Sequence, residues 1–228
     1  MKPPNTTSRS ASSSASGKTH QGRRRFYRLD NWLSEADANF LLKKKALWSA
    51  KQGQYEMSIV LFDRLIAFEP NAAEHYVNRG LVRACQQQWS QALADYDRAI
   101  ELDPSLDKAY SNRANVYAKH QEWASAISDY DEAIDLNPLN LRARINQAIT
   151  FREMDNTEEA LICLDIALFF YPNSAAAHAE RGRTHHVVGN WNCAIAEYRT
   201  ALKLATTTAD KPQDAKLVGR VKQWMATL

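Results

Sequence analysis

The chain has 228 residues, 45% of them hydrophobic and 24% charged, so it is long and apolar enough to bury a core. Its net charge of +3 is unevenly placed: residues 1 to 30 carry seven Lys/Arg against Asp30 alone, leaving 22 basic and 25 acidic residues in the remainder. That near-neutral body argues against a basic nucleic-acid-binding domain. No run approaches the roughly eighteen apolar residues of a membrane span, and seven glycines without a GxGxxG or GxxxxGK string argue against a nucleotide site.

From the N-terminus, residues 1 to 22 contain no Leu, Ile, Val, Phe, Tyr or Trp. They have too little apolar area to offset ordering entropy, so a disordered basic, Ser-rich tail is expected over 1–33. Within it Arg23, Arg24, Arg25 and Arg28 crowd beside Phe26 and Tyr27. This segment is the candidate contact for nucleic acid or an anionic membrane. Nothing at the start has the form of a secretory signal, which favours the cytoplasm; the Ser-rich, acid-poor composition leaves an organelle transit peptide, and hence an organelle stroma, as the alternative. Ser34 and Asp37 have capping-box spacing for a first helix.

Beyond the tail, prolines recur at Pro70, Pro104, Pro138 and Pro172, 34 residues apart. Each marks a point where a helix has already ended, because proline drives the residue before it out of the helical region. Other columns repeat in phase: Tyr55, Trp89, Trp123 and Trp191; Ala92, Ala126, Ala160 and Ala194; Phe62, Tyr96, Tyr130 and Tyr198; Ala99, Ala133, Ala167 and Ala201. Five units result, at 39–72, 73–106, 107–140, 141–174 and 175–208, within a repeat region spanning 34–208. Each reads as two antiparallel helices, from the four-residue spacing of Tyr76, Gly80 and Ala84 and of Ala92 and Tyr96. Small residues at Ala46, Gly80, Ala114, Ala148 and Gly182 let the first helix approach the second. Pro212 then opens a capping helix within 209–228, with Leu217, Val218, Val221, Trp224 and Met225 on one face.

These units resemble tetratricopeptide repeats, in the style of bacterial and especially cyanobacterial repeats, as in NRG at 78–80 and DYDRAIELDP at 95–104. The resemblance implies an all-α, right-handed superhelical solenoid of five helix-turn-helix repeats plus the capping helix, held together by stacking. It also implies a concave groove lined by the first helices. By phase, the groove side chains are Lys43, Asn78, Lys108, Asn112, Asn115, Arg142, Asn146 and Arg183, with Lys51, Lys119 and Arg152, opposed by Glu74, Glu153 and Glu180. Basic residues outnumber acidic ones, and amides recur at one phase (Asn78, Asn112, Asn146), so an acidic peptide or protein is the expected partner. The alternative is that these side chains are merely solvated. One subfamily grips terminal carboxylates with two lysines, two asparagines and an arginine. Lys43, Asn78 and Lys108 match that clamp, but Leu47 and Asn112 stand where an asparagine and the arginine belong, so it is incomplete.

Repeat four departs from the pattern. Thr157 and Leu164 replace aromatics, and Ile162 and Phe169 occupy phases that are polar or small elsewhere, which marks a second candidate interface or a self-association surface. No nucleophile motif is present, and no cofactor is expected. His178, His185 and His186 lack the companions a metal site needs and are expected to be structural or solvent-facing. Cys85, Cys163 and Cys193 fall at three unrelated phases, with no CxxC pair, and are expected to pack as small hydrophobes. The expectation is a non-catalytic adaptor, scaffold or assembly factor. The alternatives are an RNA- or membrane-tethering protein using the Arg23–Arg28 segment, or a co-chaperone with an incomplete clamp.

Overall fold

The computed structural model describes residues 34–207 and 212–227, so Arg23, Arg24, Arg25, Arg28 and most of the expected tail lie outside the described residues. The chain divides into two units, 1–38 and 39–228. In the first, Asp37 N–H donates to Ser34 Oγ (3.1 Å) and Ser34 N–H to Asp37 Oδ2 (3.3 Å), the reciprocal capping box anticipated from the spacing.

The described residues form eleven helices and no strands: α1 Glu35–Lys51, α2 Tyr55–Phe68, α3 Ala73–Cys85, α4 Trp89–Leu102, α5 Asp107–Lys119, α6 Trp123–Leu136, α7 Leu141–Glu153, α8 Thr157–Phe170, α9 Ala175–Val187, α10 Trp191–Thr207 and α11 Pro212–Met225. Each second helix begins on the aromatic column, or on Thr157 in repeat four. Each first helix ends in a left-handed residue: Gly53, Gln87, Gln121, Asp155 or Gly189. That conformation redirects the chain so that the second helix folds back against the first.

Buried side chains fall into five clusters, one per helix pair, each shared with a neighbouring pair or, in the last, with α11. Phe62, Tyr96, Tyr130, Leu164 and Tyr198 fill the wedge between the two helices of each pair and are almost wholly buried. Burying a side chain of this size contributes about 1.5–3 kcal/mol. Close approach is what makes the wedge fit: a Cβ on Gly80 would lie 2.7 Å from Tyr96 Cε1, and one on Gly182 would lie 2.7 Å from Tyr198 Cδ1. First helices touch one another in succession, α3 with α5, α5 with α7 and α7 with α9, which makes them the inner side of the curve. The fifth pair is closed by α11, whose Leu217 and Val221 are buried against it.

Charge follows the same period. Arg79 donates through Nε and Nη2 to Asp95 in its own repeat and through Nη1 to Asp63 in the repeat before (2.7 Å). Arg113 does the same with Asp129 and Asp97, and Arg181 donates through Nη2 alone to Glu197 and through Nη1 to Asp165 (2.7 Å each). This ladder stitches successive repeats together. It loses its arginine at repeat four, where Gln147 and Cys163 replace the arginine and its acid, and Gln147 donates to Asp131 alone (2.7 Å).

Cysteine packing differs from the expectation. Cys163 is buried, and burial pushes its thiol up to about 11, but Cys85 and Cys193 are exposed. Cys85 is the last residue of α3 and Cys193 lies in the first turn of α10. His178 is structural: its ring bonds Glu197 (2.7 Å) and the Pro172 carbonyl (2.9 Å). Among the described residues no group of three or more His, Cys, Asp or Glu is placed to hold a metal.

Candidate functional site: the groove of first helices

Three adjoining cavities run along the inner face. The first, about 210 Å³, lies between α1, α3 and α5 and is lined by Lys43, Leu47, Glu74, Val77, Asn78, Leu106 and Lys108. It gathers the three residues that match the carboxylate clamp, but a carboxylate of the chain already sits there. Glu74 pairs with Lys43, and the hydrogen bond and charge of Lys43, with a further contribution from Lys108, hold the Glu74 carboxyl below its ordinary range.

The second cavity, about 390 Å³, shares Val77, Asn78 and Lys108 with the first and adds Asn112, Arg142, Leu81 and the turn around Leu139. Its acid, Asp107, is occupied: both Asn137 and Asn140 donate to Asp107 Oδ2, at 2.9 and 2.8 Å. Lys108 and Arg142 are exposed and make no ion pair among the described residues, and the Asn78 and Asn112 amides have no hydrogen-bond partner there. Two unpaired cations, two open amides and an apolar floor of Val77, Leu81, Leu139 and Leu141 therefore face the same space. Repeat phase alone does not single out Val77, Leu81 or the 137–140 turn. The Asn-Pro-Leu-Asn string at 137–140 is the available signal, since asparagines flanking a proline commonly build such a turn.

The third cavity, about 420 Å³, lies one helical turn further along α5 and α7 and includes Asn115, Asn146, Lys119, Glu153, Trp123 and Tyr130. Asn115 Oδ1 accepts from Tyr130 Oη (2.7 Å) and from Asn146 Nδ2 (2.7 Å).

Three predicted groove charges are not available. Arg152 and Glu180 bond each other at 3.1 Å, with side chains only 10% and 4% exposed, and Arg220 of α11 approaches the same carboxylate at 3.7 Å. Arg183 lies against Trp224 of α11, 5.8 Å from the ring centroid. The capping helix thus shuts the C-terminal end of the groove, something the phase of α9 alone does not reveal. Lys51 is exposed at the end of α1 and lines none of the three cavities. On α8, Ile162 is 49% and Phe169 82% exposed, beside Ile166 and Phe170, which are also exposed.

Family models described as TPR repeat and tetratricopeptide repeat match residues 84–121 and 107–140. These matches support reading the chain as a tetratricopeptide-repeat protein. Its fold is similar to that of a thermophilic TPR protein from Thermus thermophilus, with a TM-score of 0.70 at 16% identity over 82% of this chain and 99% of that one. It is also similar to MamA residues 41 to the end from Desulfovibrio magneticus RS-1 (TM-score 0.62, 16% identity, 77% and 98% covered) and to another MamA crystal structure (0.59, 16%, 78% and 97%). No curated protein matches the sequence. Tetratricopeptide repeats are typically non-catalytic, and the repeat matches support a protein–protein interaction scaffold in general. No described helix is long and apolar enough to cross a membrane.

Proposed function

We propose that the protein is a non-catalytic scaffold that seats an acidic peptide segment of a partner protein in the second cavity, between α3, α5 and α7. The observation that carries this reading is the pair of unpaired cations, Lys108 and Arg142, converging with the open amides of Asn78 and Asn112 on one apolar-floored space. The amides suit a peptide backbone, the cations its carboxylates, and the floor an intervening apolar side chain. Glu74 keeps the first cavity from serving as a carboxylate clamp, because a ligand carboxylate there would have to displace one already paired with Lys43. Three free cysteines suit a reducing compartment such as the cytoplasm.

The test is binding of a fluorescently labelled peptide pool of alternating glutamate and leucine. Lys108→Glu with Arg142→Glu should weaken binding at least tenfold and leave helicity unchanged; a charged hydrogen bond that loses water on binding is worth about 1.5–3 kcal/mol. Unchanged affinity would exclude the second cavity.

Exposure of Phe169, Ile162, Ile166 and Phe170 along α8 favours a second contact surface, for self-association. Replacing Ile162 with Ser and Phe169 with Asp should leave the fold intact and lower the mass observed by sedimentation. If the wild-type chain is monomeric at high concentration, this surface does not join copies.

A further inference from the structure

The third cavity differs in chemistry from the second. Its centre is a pair of amides joined by a hydrogen bond. Asn115 Oδ1 is engaged twice, by the Tyr130 hydroxyl and by Asn146 Nδ2, both at 2.7 Å. Oδ1 is engaged, so the Asn115 Nδ2 protons are left free; Asn146 gives one Nδ2 proton to Asn115, keeps the second, and its Oδ1 is free; none of these has a partner among the described residues, and both residues line the cavity. Tyr130 is itself 1% exposed, held in the wedge between α5 and α6, so its hydroxyl is a rigid anchor. The pair therefore presents both amide N–H donors and an amide oxygen acceptor to the cavity, and a primary carboxamide is a single group that can satisfy both kinds.

The surroundings select against a charged group. Lys119 and Glu153 are both present at this cavity and oppose each other in sign, so it has no net charge to offer. A carboxylate can accept from the free N–H groups but leaves Asn146 Oδ1 without a donor, and an ammonium can donate to Asn146 Oδ1 but leaves the N–H groups without an acceptor, so each ion satisfies only half of the pair. Trp123 and Ile149 supply apolar wall for the stem of a side chain.

We infer that the third cavity is a subsite for the side-chain carboxamide of a glutamine or asparagine in the same peptide that occupies the second cavity. This rests on the groove reading above and adds a specificity it does not contain: an acidic residue over Lys108 and Arg142, and an amide residue at a fixed spacing from it, over Asn115 and Asn146. Asn112 to Asn115 on α5 and Arg142 to Asn146 on α7 each span about one helical turn, so the two subsites fall within the reach of a few extended residues.

The test selects a random octapeptide library, displayed on phage, on the full chain and on its Asn115→Asp variant. That substitution keeps an oxygen that can accept from Tyr130 and Asn146, removes the free NH2 donors and puts a negatively charged oxygen in their place. The wild-type chain should enrich acidic residues together with glutamine or asparagine at one fixed offset; in the variant the amide enrichment should fall at least tenfold while the acidic preference stays. Acidic enrichment without an amide position, or an amide preference unmoved by Asn115→Asp, overturns the subsite and leaves the groove reading standing. An amide preference without an acidic one supports the subsite and overturns the acidic partner, and enrichment of neither overturns both. Titration of the unaltered chain with N-acetylglutamine N-methylamide and with its glutamate counterpart gives a measurement independent of the variant's folding. The Asn115 side-chain NH2 resonances should shift with the former and not the latter, and equal shifts with both would overturn the subsite.

Discussion

Cys163 Sγ lies 3.5 Å from Gln147 Oε1, in the place where Asp129 and Arg113 form a two-point ion pair one repeat earlier. Gln147 still reaches back to Asp131, so the ladder between repeats persists there as a hydrogen bond from a neutral donor, while within the repeat the two-point ion pair is reduced to the thiol–amide contact. Restoring both partners tests whether the ladder matters. Cys163→Asp alone should destabilise the protein by about 2–4 kcal/mol, because it buries a carboxylate without a cation. Combined with Gln147→Arg, the loss should be recovered, with a coupling above about 1 kcal/mol in a double-mutant cycle read by urea denaturation.

The ends of the first helices make a separate prediction. Gln87, Gln121 and Asp155 hold φ of 61°, 61° and 60°, where repeats one and five have Gly53 and Gly189. A side chain in the left-handed region costs about 1 kcal/mol or more. Each substitution to Gly should therefore stabilise by about 0.5–1 kcal/mol despite glycine's larger entropy loss on folding. A rise in thermal midpoint for each of the three variants is the expected result.

Glycine to alanine should have opposite signs at two helical positions. At Gly80 the added Cβ meets Tyr96 Cε1 at 2.7 Å and Asp95 Cβ at 3.1 Å, and Tyr96 is fully buried with no room to yield. Overpacking of this kind costs about 1–3 kcal/mol. At Gly219, in α11, nothing lies within 4 Å of the added atom, and helix propensity should give a gain of about 0.5–1 kcal/mol. Denaturant midpoints moving in opposite directions would confirm the wedge geometry.

Acid should loosen the array in a defined window. The carboxyls of Glu69, Glu74 and Glu197 lie below their ordinary 4.5: Glu69 through hydrogen bonds from His75 and Asn39, Glu74 through Lys43, and Glu197 because Arg181 and His178 outweigh a burial effect of opposite sign. A carboxyl depressed in the folded state contributes stability that is present above its unfolded value and lost as pH falls through its folded one. The thermal midpoint should decline as pH drops below about 4.5, with a smaller decline in Glu197→Gln.

Much of this architecture is legible in the sequence because it is written in side chains that act locally. Pro70 and its successors end helices through their own backbone geometry, Trp89 and Trp123 open the second helices, and Gly80 and Tyr96 meet through a fixed offset within one hairpin. The ladder is also present in the sequence, since Arg79 and Arg113 stand 34 residues apart, as do Asp95 and Asp129. The apolar columns do not reveal it, because each ladder bond joins residues 16 apart on different helices. Arg152 and Glu180 depart from the sequence expectation for a different reason. Their phase points to the groove, and only the packing of α7 on α9 with Arg220 alongside turns two solvated charges into a buried pair.

The ladder also has a direction and an end. Each arginine draws on an aspartate lent by the helix pair before it: Asp63, Asp97 and Asp165, with Asp131 serving Gln147. At the equivalent point of the fifth pair the residue is Arg199, and at the arginine point of the first pair it is Lys45. A second molecule stacking its first repeat onto the last repeat of this one would have to displace α11 and would then bring cation to cation where every internal junction has a bond, so the side chains that join the repeats do not extend the ladder from one molecule to the next.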